Sequence, residues 1–115
     1  MLGLAQDRLG QTDAALASLE RAVELAPASA RFTYVYAVAL HSTGRPAEAI
    51  RLLETALERW PADRDMLLAL ASFQLEAGRR DRAAGVVSRL LEAYPSDRDA
   101  QALAARLGVS GPVPP

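Results

Sequence analysis

The residues whose chemistry could support catalysis or metal binding are a single histidine and several pairs of carboxylates. His41 has no cysteine and no second histidine in the chain with which to form a metal site or an activated nucleophile. The carboxylate pairs, such as Glu20 with Glu24, are four residues apart, which places both members on one face of a helix. A solvated helix face explains that spacing better than an acid–base pair does. We therefore predict a protein without enzymatic activity, metal or cofactor.

The composition predicts one small domain and excludes several classes of partner. The chain has 115 residues, half of them hydrophobic, and a net charge of −1. A near-neutral charge without a basic stripe argues against nucleic acid, and the absence of a run of about 18 apolar residues argues against membrane insertion. All 13 basic residues are arginine, a bias typical of GC-rich bacterial genomes. A cytoplasmic location is the default expectation, and it stays open for a fragment of a longer exported protein.

Three kinds of residue recur along the chain at a spacing of 34 positions. They are prolines, glycines and alanines: Pro27, Pro61 and Pro95; Gly10, Gly44 and Gly78; and Ala15, Ala49 and Ala83. Helix breakers that keep phase with small residues at one fixed period indicate a single supersecondary unit stacked on itself.

Each unit is predicted to contain two helices, because apolar residues recur at helical spacing between the breakers. The predicted helices after the first unit cover 30–43, 46 to about 60, 64–77, 80–93 and 98–107. In the first unit, a short helix is expected to end near Gly10, with a partner helix over about 12–25.

These features resemble the tetratricopeptide repeat, whose 34-residue pattern has small residues and a closing proline at these positions. The matching segments are Leu2-Gly3, Tyr36-Ala37 and Leu70-Ala71, each followed by one of the periodic alanines and prolines. The large aromatic residue that opens the family pattern is replaced by Thr33 and Leu67. The resemblance implies an all-α fold, a right-handed superhelical stack of antiparallel helix pairs with about seven helices.

The same resemblance predicts the organisation of the domain. A single domain covers 1–108: a first repeat truncated at its N-terminus (1–29), a second (30–63), a third (64–97) and a capping helix (98–108). Residues 109–115, rich in glycine and proline, are expected to form a disordered tail. Small residues are predicted to face each other where the helices of a pair cross, allowing axes about 8 Å apart. The pairs are Gly3 with Ala15, Ala37 with Ala49, and Ala71 with Ala83.

The resemblance also implies a ligand site on the concave side, on a stripe at i, i+3, i+7 and i+10 of each first helix. This stripe consists of Arg31, Tyr34, Val38 and His41 in the second repeat, and Asp65, Leu68, Ser72 and Leu75 in the third. Asp7, Asp99, Ala102 and Arg106 are expected to border the groove. An apolar centre with charged edges suits a peptide or a short amphipathic helix.

Two questions about these residues stay open at the level of sequence. Val38, Leu68 and Leu75 are either binding surface or core, whereas Tyr34 and His41 are expected at the surface. Trp60 and Tyr94, which precede repeat-ending prolines, are expected to fill the joints between repeats rather than to stack on a ligand.

The predicted function is a protein-binding scaffold, the C-terminal module of a larger bacterial protein. The alternative is a structural module whose copies associate weakly through the open N-terminal end, where Leu2, Leu4 and Ala5 are poorly covered.

Overall fold

The computed structural model describes the backbone of residues 2–109 and the side chains of residues 10–109. Over this range the chain forms six α-helices and no strand. They are α1 (Leu2–Leu25), α2 (Ala30–Ser42), α3 (Pro46–Arg59), α4 (Arg64–Glu76), α5 (Arg80–Ala93) and α6 (Arg98–Leu107). The predicted all-α helical-repeat fold is confirmed, with six helices instead of about seven. The predicted disordered tail lies outside the described residues, apart from Val109.

The start of each first helix is fixed by a side chain that caps its N-terminus. Ser29 Oγ accepts a hydrogen bond from the Phe32 N–H at 3.2 Å. Asp63 and Asp97 stand at the equivalent positions of the next units, and their carboxylates cap α4 and α6 in the same way, each at 3.0 Å. Since each cap accepts a backbone N–H that has no partner within the helix, these caps set the starts of α2, α4 and α6 at 34-residue intervals.

The turns inside the second and third repeats depend on glycine. Gly44 and Gly78 have φ of +84° and +79°, the left-handed region in which a side chain would be strained. The Arg45 N–H then donates to the Leu40 carbonyl at 2.9 Å, which closes the end of α2. Pro46 opens α3, where its missing N–H leaves no helical hydrogen bond unmade.

The first repeat departs from this arrangement because α1 is one continuous helix. The prediction that a helix ends near Gly10 is wrong, since Gly10 lies inside α1 and not in the left-handed region. The predicted crossing of Gly3 with Ala15 is therefore also wrong: on one helix they are about 18 Å apart, and Ala15 is exposed. Glycine permits the left-handed conformation and does not require it, so Gly10 is equally compatible with a helix. The unbroken ladder of helical hydrogen bonds is retained instead.

A single hydrophobic core runs through the array from Leu16 in α1 to Leu103 in α6. Each helix packs on the next along the chain. The periodic alanines of the second and third repeats are completely buried: Ala37, Ala49, Ala71 and Ala83. Among the described helices, none is both long enough and apolar enough to cross a membrane.

Candidate functional site

The curvature of the array follows from which helices touch across repeats. The first helices α2, α4 and α6 contact one another in sequence, whereas the second helices α3 and α5 make no direct contact. The layer formed by α2, α4 and α6 is therefore the more closely packed one. A stack of pairs bends toward its closely packed layer, so this layer lines the concave side.

The eight stripe residues lie at the boundary between this layer and the solvent. The two residues nearest the helix starts, Arg31 and Asp65, are exposed. The other six are half-buried: Tyr34, Val38, His41, Leu68, Ser72 and Leu75. Four of these six (Tyr34, Val38, Leu68 and Leu75) pack against the core while keeping part of their surface in solvent. Each of these side chains is therefore part core and part accessible surface, the two alternatives that the sequence left open.

Of the four residues predicted to border the groove, the structure describes the side chains of three. Asp99, Ala102 and Arg106 on α6 are exposed. The side chain of Asp7 lies outside the described residues.

His41 joins α2 to α4 and is not free to meet a ligand. Its imidazole ring stacks on Phe73, with centroids 3.8 Å apart and planes 3° from parallel. Its Nε2 lies 2.6 Å from Glu76 Oε2, within hydrogen-bonding distance. Tyr34 and His41 were predicted to be exposed, and each is half-buried instead, with part of its surface in solvent. For His41 the reason is this stacking, which leaves 25% of the side chain exposed.

At the opposite end of the inner layer, Arg64 binds carboxylates of α4 and α6. Its Nη2 donates to Asp97 Oδ1 at 3.2 Å and to Asp99 Oδ2 at 2.9 Å, and its Nε donates to the second oxygen of Asp97. Its Nη1 donates to Asp65 Oδ1 at 3.2 Å. The stripe residue Asp65 is therefore already paired. Asp97 also caps α6, so one carboxylate ties the third repeat to the closing helix.

The charges of this cluster shift the pKa values of both Asp97 and Arg64. The Asp97 side chain is 9% exposed. The Arg64 guanidinium, and next the Ala100 N–H, hold the pKa of the Asp97 carboxyl below its ordinary value. The hydrogen bonds to Asp97, and next to Asp99, raise the pKa of Arg64 above that of an ordinary arginine, so the arginine stays charged.

The depressed pKa of Asp97 predicts a pH-dependent stability that Asp97→Asn removes. A carboxyl with a lowered folded-state pKa stabilises the fold above its unfolded pKa of about 4, and this contribution is lost as the pH falls through the folded value. We expect Asp97→Asn to unfold at lower urea concentration than the parent chain at about pH 7, and the difference to shrink in acid as the pH falls below about 4.

The matched control for this prediction is Asp63→Asn. Asp63 caps α4 as Asp97 caps α6, but the position equivalent to Arg64 is occupied by Ala30. Asparagine caps helices about as well as aspartate does, so this control should change little at either pH. An equal loss of stability for Asp97→Asn at both pH values would show that the pairing with Arg64 contributes nothing.

An apolar cleft between the first and second repeats was not anticipated from the sequence. It has a volume of about 430 Å³ and lies where the end of α1 meets α2 and α3. Its lining consists of Val23, Pro27, Thr33, Leu52, Thr55, Ala56, Glu58, Arg59 and Trp60. Arg59 Nη1 donates to the Pro27 carbonyl at 2.9 Å, and its guanidinium lies 5.1 Å from the Trp60 ring centroid.

The signal for this cleft is present in the sequence when the repeats are compared. Val23, Thr33 and Ala56 line it, and one period later the same positions hold leucine: Leu57, Leu67 and Leu90, all buried. Smaller side chains at these three positions leave the space open. Trp60, expected to fill the joint, is half-buried and forms one wall of the cleft instead of closing it.

Stacked helix pairs with a 34-residue period and a concave layer of first helices define a helical-repeat protein. Two models described as tetratricopeptide repeat match the chain, one over residues 40–107 and the other over residues 1–53. The chain therefore belongs to the tetratricopeptide repeat family. Repeats of this family are generally non-catalytic modules for protein–protein interaction. No curated protein matches the chain.

Proposed function

We propose that this domain is a non-catalytic scaffold that binds a peptide or a short helix of a partner protein in its concave groove. The observation that supports the proposal most directly is the row of half-buried apolar side chains on α2 and α4. Tyr34 and Val38 on α2, with Leu68 and Leu75 on α4, rest on the core and still present surface to the groove. Burial of the remaining apolar surface would drive association, at about 25 cal/mol per Å².

The charges around this row suggest the polarity of the ligand. Arg31 is exposed at the start of α2, with its guanidinium 5.8 Å from the centroid of the Tyr34 ring. Arg64 pairs with three carboxylates, those of Asp65, Asp97 and Asp99, and so leaves this cluster with a net negative charge. The Asp99 side chain and that of Glu76, at the far end of α4, are both largely exposed. The favoured ligand has apolar side chains at its centre, a carboxylate beside Arg31 and basic residues near Asp99 and Glu76.

The affinity is expected to be modest. A groove of two complete repeats and a closing helix would bury roughly 500–800 Å² per partner, the lower end for a specific complex. The array is proposed to act as part of a larger bacterial protein, where such weak contacts add to others.

A peptide selection with two matched serine variants tests the proposal. Peptides selected on the parent chain are measured against Ser72→Arg, which places a bulky cation in the centre of the stripe, and against Ser88→Arg, on the exposed side of α5. We expect Ser72→Arg to weaken the selected peptide at least about tenfold, and Ser88→Arg to leave it unchanged.

The position of the bound peptide decides between support for the groove proposal and its failure. NMR shifts confined to the neighbourhood of Tyr34, Leu68 and Ser72 would support the groove. If Ser72→Arg binds as well as the parent chain and the shifts centre on Thr55 and Trp60, the partner enters the cleft between repeats and the groove proposal fails.

A second candidate function is self-association through the N-terminal end of the array. It is supported by an uncovered face of α1, on which Ala15 and Ser18 are exposed and Leu19 and Ala22 are half-buried.

A further inference from the structure

The joint between the first and second repeats contains fewer side-chain atoms than the next joint along the array. Val23, Thr33 and Ala56 line the cleft in the first joint. One period later, leucine occupies all three equivalent positions, and each is buried: Leu57, Leu67 and Leu90. Leucine has one more heavy atom than valine, one more than threonine and three more than alanine. The first joint therefore lacks about five side-chain atoms that fill the second.

The polar groups in the lining of the cleft are bonded within the chain or lie in solvent. The Thr33 hydroxyl donates a hydrogen bond to the Ser29 carbonyl at 3.3 Å. Arg59 Nη1 is bound to the Pro27 carbonyl, and the other polar side chains of the lining are exposed. A polar group placed inside would lose its water and find few partners there, which costs free energy. The cleft therefore favours an apolar occupant.

We propose that the cleft binds the side chain of a leucine from a segment of a partner protein. The isobutyl group of leucine is close in size to the atoms missing from this joint, and leucines are the side chains that fill the next one. The cleft volume of about 430 Å³ also leaves room for peptide backbone beside that side chain. A partner protein supplies the leucine, because repeats of this family are generally modules for protein–protein interaction.

This site is separate from the concave groove. The walls of the cleft come from the end of α1, the start of α2 and the second half of α3, and none of the eight stripe residues belongs to them. The inference rests on the protein-binding role of the domain, and it holds or fails independently of the groove.

A peptide selection against a filled variant tests the inference. The filled variant combines Val23→Leu, Thr33→Leu and Ala56→Leu, and so copies the residues of the next joint. Peptides selected on the parent chain are passed over the filled variant, and those that it does not retain are sequenced. We expect these peptides to share a leucine. Its replacement by alanine should weaken binding to the parent chain at least about tenfold, because the lost carbons are apolar atoms buried on binding.

The single tryptophan of the chain supplies a direct readout of the cleft. Trp60 forms one of its walls. A bound leucine replaces water beside the indole ring, so the fluorescence emission should move to shorter wavelength as peptide is added. The filled variant should emit at the shorter wavelength without any peptide.

Matched variants control for folding and for the location of the site. The filled variant should melt at a higher temperature than the parent chain, because the added carbons occupy open space. Ala56→Leu alone should weaken the peptides in the same direction, so the test does not depend on the triple variant. Ala47→Leu, at an exposed position of α3, and Ser72→Arg, in the groove, should leave these peptides unchanged.

The outcomes that would overturn the inference differ from a failure of the groove. If the filled variant and Ala56→Leu retain every peptide that the parent chain binds, the cleft is not a binding site. Peptides that only Ser72→Arg loses would support the groove and overturn the cleft. Leu25 is 75% exposed and is a leucine that a second copy could supply. If the parent chain dimerises on concentration while Leu25→Ser and the filled variant stay monomeric, the occupant is a second copy and the partner protein is overturned.

Discussion

Replacing Leu53 by alanine is expected to lower the free energy of unfolding by about 2–5 kcal/mol. Leu53 has no exposed surface, and it lies on α3, which packs against both α2 and α4. Removing its branched end leaves a cavity that neighbouring helices can close only in part, so the lost burial and the cavity both contribute. Urea denaturation followed by circular dichroism measures the change.

The neighbouring leucine provides the control for this prediction. Leu52 is half-buried and lines the open cleft, so its side chain already has solvent on one side. Leu52→Ala creates no closed cavity and should cost less than about 2 kcal/mol. Equal losses for the two variants would mean that the core around Leu53 is no better packed than the wall of the cleft.

The loss at Leu53 matters because the stability of the whole domain is small. Domains of this size are stable by about 5–15 kcal/mol, so one such substitution removes a large fraction. The size of the loss also depends on where Leu53 lies in the array. In a solenoid each repeat is stabilised by its neighbours only, and α3 packs on α2 of its own repeat and on α4 of the third. A weakened α3 therefore lowers the stability on both of its sides.

The helices of the second and third repeats were predictable because local signals agree with the period. Expected and observed bounds of α2 and α4 differ by one residue, and α5 and α6 coincide. The turns after α2 and α4 require positive φ at Gly44 and Gly78. Glycine is the residue type that adopts this conformation most readily, so its presence in the sequence indicates the turn. The caps Ser29, Asp63 and Asp97 recur with the same period and mark the starts of α2, α4 and α6.

The first repeat could not be predicted in the same way, because the deciding factor is not local. Gly10 stands at the same place in its repeat as Gly44 and Gly78 do in theirs, yet it lies inside a helix. A glycine permits a left-handed turn and does not force one. In the later repeats the turn goes together with packing of the first helix on the second, α2 on α3 and α4 on α5. That packing is a long-range contact, which the glycine alone does not reveal.

The sequence was sufficient to predict that the eight stripe residues lie along the inner helices, but not which side chains they contact. Helix geometry places the eight residues along the two inner helices, and the structure shows them at the edge of the core. The partners of His41 depend on how one repeat stacks on the next: Phe73 and Glu76 lie 32 and 35 positions further on, close to one period. Arg64 reaches Asp97 in the same way. Partners about one period away are therefore the contacts to look for in such a sequence.

The second large effect is expected from a larger side chain at a point where helices are packed closely. Ala49 has no exposed surface and lies in the first turns of α3, which packs on α2. Leucine at this position has to displace neighbouring backbone, because close-packed interiors have no space for three more carbon atoms. We expect Ala49→Leu to lower the free energy of unfolding by about 1–3 kcal/mol.

The control for Ala49→Leu lies two residues earlier on the same helix. Ala47 is exposed, so Ala47→Leu adds the same atoms in solvent and should change stability by less than about 0.5 kcal/mol. Thermal unfolding of both variants beside the parent chain separates overpacking from any effect of leucine on helix propensity. An Ala49→Leu melting temperature equal to that of Ala47→Leu would show that the helices can move apart freely. The recurrence of a small residue at this position would then need a cause other than close packing.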